Sequence, residues 1–376
     1  METVKGFKDK LGQEAEKAAL IREVARQTFE KYNFQEIETP LIEYEEFVKG
    51  ENSNDEAVSD IFKLKDKGNR NLALRYEFTF QLKRTSQNQK LPFKRFQIGP
   101  VFRDEPVSGN RLRQFTQCDI DTVGATIKDE AEILSAVSEI FNALKIKFKI
   151  YINNRKLLNE ILEEQKIKLK EQAIREIDKL DKLPEKEVRE NLKLINAESL
   201  LEIVKNKPEF FKKYSSYKEI QELKEYCKYY GIEIIFQPTL ARGLSYYTGN
   251  VFEIKSDIKE TISAGGTYNV NGIQSTGISF SIERLMVVTN ILINLERILI
   301  VSLDQDKKAI ELANKLRKSG KNASVYFGNP SKALQYANSY GIKKVIFVGT
   351  KEVQQKKFLI KDMKTGKQKI LTISKK

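Results

Sequence analysis

The sequence predicts an α+β protein, and three stretches of it carry that reading. Residues 93–124 read as an antiparallel hairpin, FKRFQIGPVFR and RQFTQCDIDTVG around a polar loop, DEPVSGNRL. Residues 154–229 abandon alternation for charged, helical periodicity, and strand patterns return from 231. From Glu296 onward, short apolar strands alternate with helices. One sheet domain interrupted by a helical insertion and followed by a small α/β domain accounts for all three. The expected boundaries are 1–150 and 229–292 for the two parts of the sheet domain, 151–228 for the insertion and 295–376 for the last domain.

In chain order, residues 12–32 set apolar residues at helical spacing with charges in the gaps, an amphipathic helix. Phe34, Ile37, Leu41 and Ile42 follow as an extended stretch that Pro40 interrupts, since proline cannot donate to a ladder. Residues 57–75 predict two strands joined by a Lys-Gly-Asn turn. After the hairpin, 127–144 give a helix and FKIYI a strand. The insertion reads as two long helices, with Pro184 near the start of the second and Pro208 at a further boundary. GIEIIFQPTLARG, YYTGNVFEIKS and TISAGG are strands, and TGISFSIERLMVVTNIL is a strand running into a helix. ERILIVSL, a helix at 306–318, NASVYFG, a helix at 330–340, KKVIFVG, KKFLIKDM and KQKILTI complete the chain.

Composition narrows the chemistry. With 40% hydrophobic and 31% charged residues, the chain is globular and wholesale disorder is excluded. No apolar run reaches the ~18 residues of a membrane span. The first residues lack the apolar core of a secretory signal, and Cys118 and Cys227 cannot make a disulfide framework. A cytoplasmic protein without a membrane partner is expected. Histidine is absent, which excludes a histidine base, a catalytic triad and histidine metal ligands, and no metal site built from side chains is expected. The net charge is +14. Residues 351–376 hold nine lysines against Glu352 and Asp362, half of that net charge. Such a segment suits a polyanionic partner. It equally suits a strand edge guarded by lysines. Gly265-Gly266 lacks the spacing of a dinucleotide fingerprint.

The arginines fall at useful places. Arg103 stands where a strand enters the hairpin loop, and Arg111 and Arg113 where the loop returns. Arg242 lies in a glycine-bearing turn, and Arg284 opens a helix after a strand. A guanidinium keeps its charge near neutrality and presents a fixed fork of donors, so this set suits a triphosphate. Gln117, Asp119 and Asp121 alternate along one strand and share a face, with Cys118 and Ile120 on the core side. Glu77 and Thr79 have the same period-two relation and suit an α-ammonium. Tyr246 and Tyr247 are expected to turn one ring toward a pocket and one toward the core.

Together these segments resemble class II aminoacyl-tRNA synthetases, and specifically the histidyl-tRNA synthetase family, over nearly the whole chain. YNFQEIETPLIE resembles motif 1 with Pro40 as its proline, FQIGPVFRDEPVSGNRLRQFTQCDID motif 2, and TGISFSIERL motif 3. ARGLSYYTGNVFE resembles the signature of the histidine enzymes, and SAGGTYN their second signature. The resemblance implies an antiparallel sheet of about six strands with flanking helices, a helical insertion over the acceptor stem, a C-terminal α/β anticodon-binding domain and a homodimer formed through motif 1. It implies ATP as co-substrate with Mg2+, L-histidine as substrate and tRNA(His) as partner. Arg103 matches the arginine that clamps the α-phosphate, and Arg242 the one approaching it from the opposite side. Glu105, Arg111, Arg113 and Arg284 match ATP-binding positions. Glu77, Thr79, Gln117, Asp121, Tyr246, Tyr247 and Tyr268 match the histidine pocket.

Some positions depart from the pattern. Ser245 replaces an aspartate, a small residue as in archaeal-type members. Thr267 and Asn269 replace an arginine and an aspartate that would form an internal salt bridge. Ser279 and Ser281 replace glycines, and Ser281 is expected to crowd the adenine floor. Two further readings stay open: a non-catalytic, synthetase-like regulatory subunit of ATP phosphoribosyltransferase, and a nucleic-acid-binding paralogue that does not aminoacylate.

Overall fold

A computed structural model describes residues 2–49, 60–107, 111–181, 183–242, 246–291 and 295–371. The chain divides into two compact units, Met1–Ile291 and Leu292–Lys376. In the first, helix α1 (Gly12–Lys31) buries Ala18, Ile21, Ala25 and Phe29 along one stripe. Asn33, at φ 60°, ends it in the left-handed region. Phe34 N then returns to Phe29 O at 3.0 Å, and both rings join the core. Strands β1 (Gln35–Glu36) and β2 (Ile42–Tyr44), helix α2 (Glu45–Lys49), strands β3 (Lys63–Lys65) and β4 (Asn71–Leu74) and helix α3 (Thr79–Thr85) follow. The Lys-Gly-Asn turn joins β3 to β4, with Asn69 at φ 60°, and β2, β4 and β3 form a small antiparallel sheet. Residues 57–59 of the expected strand lie outside the described residues.

The hairpin is β5 (Phe93–Phe102) and β6 (Gln114–Val123), in unbroken register from Phe93↔Val123 to Phe102↔Gln114. Helix α4 (Ile127–Ala143) starts where Asp129 Oδ2 accepts Thr126 N at 2.8 Å. After strand β7 (Lys149–Asn154), the two long helices expected in the insertion are broken into shorter ones. These are α5 (Arg155–Glu164), α6 (Lys170–Asp178), α7 (Glu185–Leu194), α8 (Ser199–Ile203) and α9 (Tyr217–Tyr229). Lys166 and Asn196, at φ 54° and 53°, turn the chain into the left-handed region after α5 and α7. Strands β8 (Ile234–Phe236), β9 (Tyr247–Lys255), β10 (Ser263–Val270) and β11 (Ile273–Ser281) lead into helix α10 (Ile282–Val288). Asn271 and Gly272, at φ 50° and 76°, supply the two left-handed residues of the β10–β11 hairpin turn.

The main sheet runs β1-β5-β6-β11-β10-β9-β7-β8. The strands from β5 to β7 are all antiparallel, the six-stranded sheet expected, and a short parallel strand is added at each edge. One face packs on α1 and α4. There Phe29 meets Phe96 and Phe280 at ring distances of 5.3 and 6.2 Å, and Phe141 meets Phe280 at 5.6 Å. The other face is left for chemistry.

The second unit contains β12 (Arg297–Ser302), α11 (Asp306–Lys318), β13 (Asn322–Phe327), α12 (Pro330–Ser339), β14 (Lys344–Val348), α13 (Thr350–Gln355), β15 (Leu359–Asp362) and β16 (Gln368–Ile370). Its sheet order is β13-β12-β14-β15-β16, parallel across the first three strands and antiparallel beyond. Central β12 is a continuous apolar run because both of its faces are buried. Among the described residues, no helix is long and apolar enough to cross a membrane.

Candidate active site

The free face of the main sheet forms the floor of a cleft. Alternation along β6 turns Gln117, Asp119 and Asp121 into it and Cys118 and Ile120 toward the helices. Glu77, Thr79, Arg103, Glu105, Arg111, Arg242, Tyr246, Tyr247, Tyr268 and Arg284 line the same cleft. Arg113 does not. Its guanidinium turns to Asp104, at 3.1 Å, and to the carbonyl of Glu105. Glu77 and Thr79 reach the cleft by a route other than the one expected: β4 ends at Leu74 and Thr79 opens α3, so they do not share a strand. Tyr246 and Tyr247 do not divide between pocket and core. Tyr246 precedes β9, where strand alternation does not apply, and both rings line the cleft 4.6 Å apart.

Toward the hairpin loop, positive charge converges. The Arg103 guanidinium lies 4.3 Å over the Tyr76 ring and 5.1 Å over that of Phe115. Arg284 Nη1 donates to Thr261 O at 2.7 Å. Burial and then the like charges of Arg111 and Arg103 push the Arg284 guanidinium below its usual range. Glu105 neutralises part of this by pairing with Arg111 at 3.2 Å. Ser281 does not simply crowd the floor: its Oγ caps α10, accepting Arg284 N at 3.3 Å. Arg242 sits in the left-handed region at φ 51°, held by Glu253 at 2.7 Å. Residue 245 lies outside the described residues.

The deep end of the cleft is acidic and aromatic. Burial pushes the carboxyls of Glu77, Asp119 and Asp121 up. Asp121 is held from two sides: Tyr268 donates its hydroxyl to Oδ1, and Arg95 lies 2.7 Å from Oδ2. Arg95 is fully buried and was not among the residues the sequence singled out. It stands directly opposite Asp121 in the β5–β6 register, and that cross-strand pairing is the signal that finds it. Gly277 makes room for this carboxylate, since a Cβ there would overlap Asp121 Oδ1. Thr267 is buried and gives its hydroxyl to Glu130, whereas Asn269 is exposed. Among the described residues, no group of three or more His, Cys, Asp or Glu side chains could hold a metal ion.

Comparison with known proteins agrees with this arrangement. Residues 6–285 match the family model described as histidyl-tRNA synthetase, and residues 296–375 match that of an anticodon binding domain. The chain is 33% identical to histidine–tRNA ligase 1 of Bacillus cereus, over 97% of this chain and 94% of that one. It is 35% identical to histidine–tRNA ligase of Wolinella succinogenes, over 98% and 95%. The crystal structure of histidyl-tRNA synthetase from Nostoc superposes with a TM-score of 0.85 at 25% identity, covering 99% of this chain and 96% of that one. With a cleft of this composition, and with both matches running in order along its length, the chain belongs to the histidyl-tRNA synthetase family.

Proposed function

We propose that the chain activates L-histidine with ATP, giving histidyl-adenylate and pyrophosphate, and then transfers histidine to the 3′ end of tRNA(His). The observation that carries this is the crowding of Arg103, Arg111 and Arg284 at one end of the cleft, with buried carboxylates and tyrosines at the other. Like charges that push the Arg284 guanidinium down call for a polyanion, and the triphosphate of ATP supplies it. Arg103 and Arg242 take the α-phosphate, with Glu105, Arg111 and Arg284 around the rest of the nucleotide. Arg113 joins them only if it leaves Asp104. In the first step a carboxylate oxygen of histidine bonds to the α-phosphorus as the bond to the β-phosphate oxygen breaks. The nucleophile is already an anion, so no protein base is needed, and a chain without histidine loses nothing. Positioning and charge stabilisation do the work. Mg2+, arriving with ATP, would add charge neutralisation at the phosphates next to Glu105.

Glu77 and Thr79 receive the α-ammonium. The Tyr268 proton is committed to Asp121, so its oxygen offers an acceptor to a ring N–H of imidazole. An apolar side chain in that place would leave buried polar groups unpaired, which supplies discrimination. Gln117, Tyr246 and Tyr247 complete the wall. The unit after residue 295 would read the anticodon, and the helical insertion at 151–228 the acceptor stem. Ile42, Tyr44 and Leu64 are exposed on the small sheet near motif 1, an apolar face that suits a homodimer. Both ligases compared with the chain are bacterial, which lends no support to an archaeal-type kinship. Cytoplasmic residence fits the reaction. A non-catalytic regulator has less need of Arg242 and of the second unit, both of which are present. The test is amino-acid-dependent ATP–pyrophosphate exchange. Exchange with histidine alone is expected, and a folded protein that exchanges with no amino acid would overturn the reading.

A further inference from the structure

Behind the cleft, on the opposite face of β10 from Tyr268, lies a carboxylate that the reaction does not use. Glu130, in the first turns of α4, is 2% exposed. Its Oε1 accepts Thr267 Oγ1 at 2.5 Å, and its Oε2 accepts Asn250 Nδ2 at 2.7 Å. Thr267 belongs to β10 and Asn250 to β9. These strands pair in register from Ser263↔Ile254 to Gly266↔Val251, and then the register breaks. The next pair is Tyr268↔Tyr247. Thr267 alone on β10 therefore faces Thr248, Gly249 and Asn250 on β9, which is a bulge. A bulge interrupts the ladder and re-aims the side chains beside it. The Glu130 carboxylate spans the two strands at the place where the backbone ladder does not, and the pair that resumes the ladder is two tyrosines of the cleft.

The bulge is packed to fit. A Cβ at Gly266 would lie 2.6 Å from Asn250 O and 2.8 Å from the Tyr247 ring. Asn250 Oδ1 accepts Asn154 Nδ2 at 2.8 Å, and Asn154 Oδ1 caps α5 through Lys156 N. A small displacement at Asn250 or Thr267 is therefore transmitted to the two rings. We propose that Glu130 is a positioning residue for the amino-acid pocket, its carboxylate clamping the β9–β10 bulge and so setting the aim of Tyr247 and Tyr268. This rests on the histidine-activation reading above.

Burial pushes the Glu130 carboxyl up to about 7, while the hydrogen bonds from Thr267 and Asn250 pull it down. Glu219 on α9 adds to the rise and Lys156 on α5 opposes it. Lys128 on α4 and Glu222 on α9 line the same recess, and Cys227 on α9 feels the same charge. An ionised carboxylate accepts both hydrogen bonds. A carboxylic acid must reverse or lose one of them. The clamp therefore tightens as pH rises through the Glu130 titration.

The test measures histidine KM and ATP KM by pyrophosphate exchange between about pH 6 and pH 8, the window around that titration. The proteins are wild type, Glu130→Ala, Glu130→Gln and Thr267→Val. Glu130→Ala and Thr267→Val are expected to raise histidine KM about tenfold and leave ATP KM within about twofold. The amide of Glu130→Gln can still accept from Asn250 and donate to Thr267, but it cannot titrate. Its histidine KM is expected to lose the part of the pH dependence that histidine's own imidazole does not supply. A Glu130→Gln profile superimposable on wild type overturns the clamp. So do variants whose two KM values move together or not at all. Where Glu130→Ala does not fold, Thr267→Val and Glu130→Gln decide in the same way. A wild type without histidine-dependent exchange overturns the activation reading, and the clamp with it.

Discussion

Arg103 lies over the rings of Tyr76 and Phe115, which restrict how its guanidinium plane can turn before any ligand arrives. The plane matters because two parallel N–H donors match two phosphate oxygens, whereas an ammonium is a point charge. Arg103→Lys keeps the charge and loses the fork. It is expected to lower kcat for exchange by about 10²-fold to 10³-fold, as the removal of one donor from a developing oxyanion does. Thermal unfolding should barely move, because among the described residues the Arg103 side chain makes a single 3.4 Å hydrogen bond, to Gln117, and lysine keeps the charge that favours ionised Glu77. Gly277 is constrained more simply. A Cβ there would overlap Asp121 Oδ1 and lie 3.1 Å from Ile120 O. Gly277→Ala is expected to destabilise the fold by about 1–3 kcal/mol, the cost of overpacking. It should also raise histidine KM, since the displaced carboxylate is the one that holds Tyr268. A urea midpoint and a histidine titration would separate these effects.

The β5–β6 hairpin is the element on which the pocket is built. It carries Arg95, Gln117, Asp119 and Asp121, and its register brings Arg95 opposite Asp121. Arg95→Leu would leave Asp121 and Asp119 buried without that cation. A loss of about 3–5 kcal/mol at neutral pH is expected, as for other broken buried pairs. The sign with pH follows from which form needs the cation. Burial already raises both carboxyls, and without Arg95 they rise further, so acidification neutralises them and the deficit should shrink as pH falls. Urea midpoints near pH 5 and pH 7 would check this, and an equal deficit at both would count against it. The hairpin itself was legible from period-two alternation, and so was the face carrying Gln117 and Asp121. Arg95 was not, because within FKRFQIGPVF it reads as one polar residue, and only pairing across strands gives it a partner. Glu77 and Thr79 line the cleft, but not through the shared strand that their spacing suggested: a seven-residue helix, α3, is too short to leave a periodic signal. The insertion's helices were legible as helices, but the breaks at Lys166 and Asn196 use residues that carry no strong turn signal or are common elsewhere. The bulge behind Tyr268 was invisible, since a register shift belongs to two strands at once.

At the scale of the molecule, the net charge of +14 bears differently on the two steps of the proposed reaction. As proposed, exchange would depend on a small nucleotide held in a cleft by arginines, where salt screens weakly. Charging of tRNA depends on a polyanion spread over the surface, and each phosphate that meets a lysine releases counterions. Raising salt from about 50 to 200 mM is therefore expected to raise KM for tRNA by tenfold or more and to change the exchange rate by less than about twofold. The tail decides where that dependence originates. Lys364, Lys367 and Lys369 are exposed, and Lys369 lies on β16, which among the described residues pairs only with β15 and so forms one edge of its sheet. Lysines on a free edge also deter pairing with another chain, a role that needs no RNA. Replacing all three by Gln separates the two roles. If they meet tRNA phosphates, the slope of log KM for tRNA against log salt should fall by about two, near 0.7 for each phosphate that no longer meets a lysine, with exchange unchanged. If they only guard the edge, the slope should stay as it was, and the variant should instead self-associate at concentrations where the wild type does not. Light scattering and aminoacylation on the same preparations would give both readings.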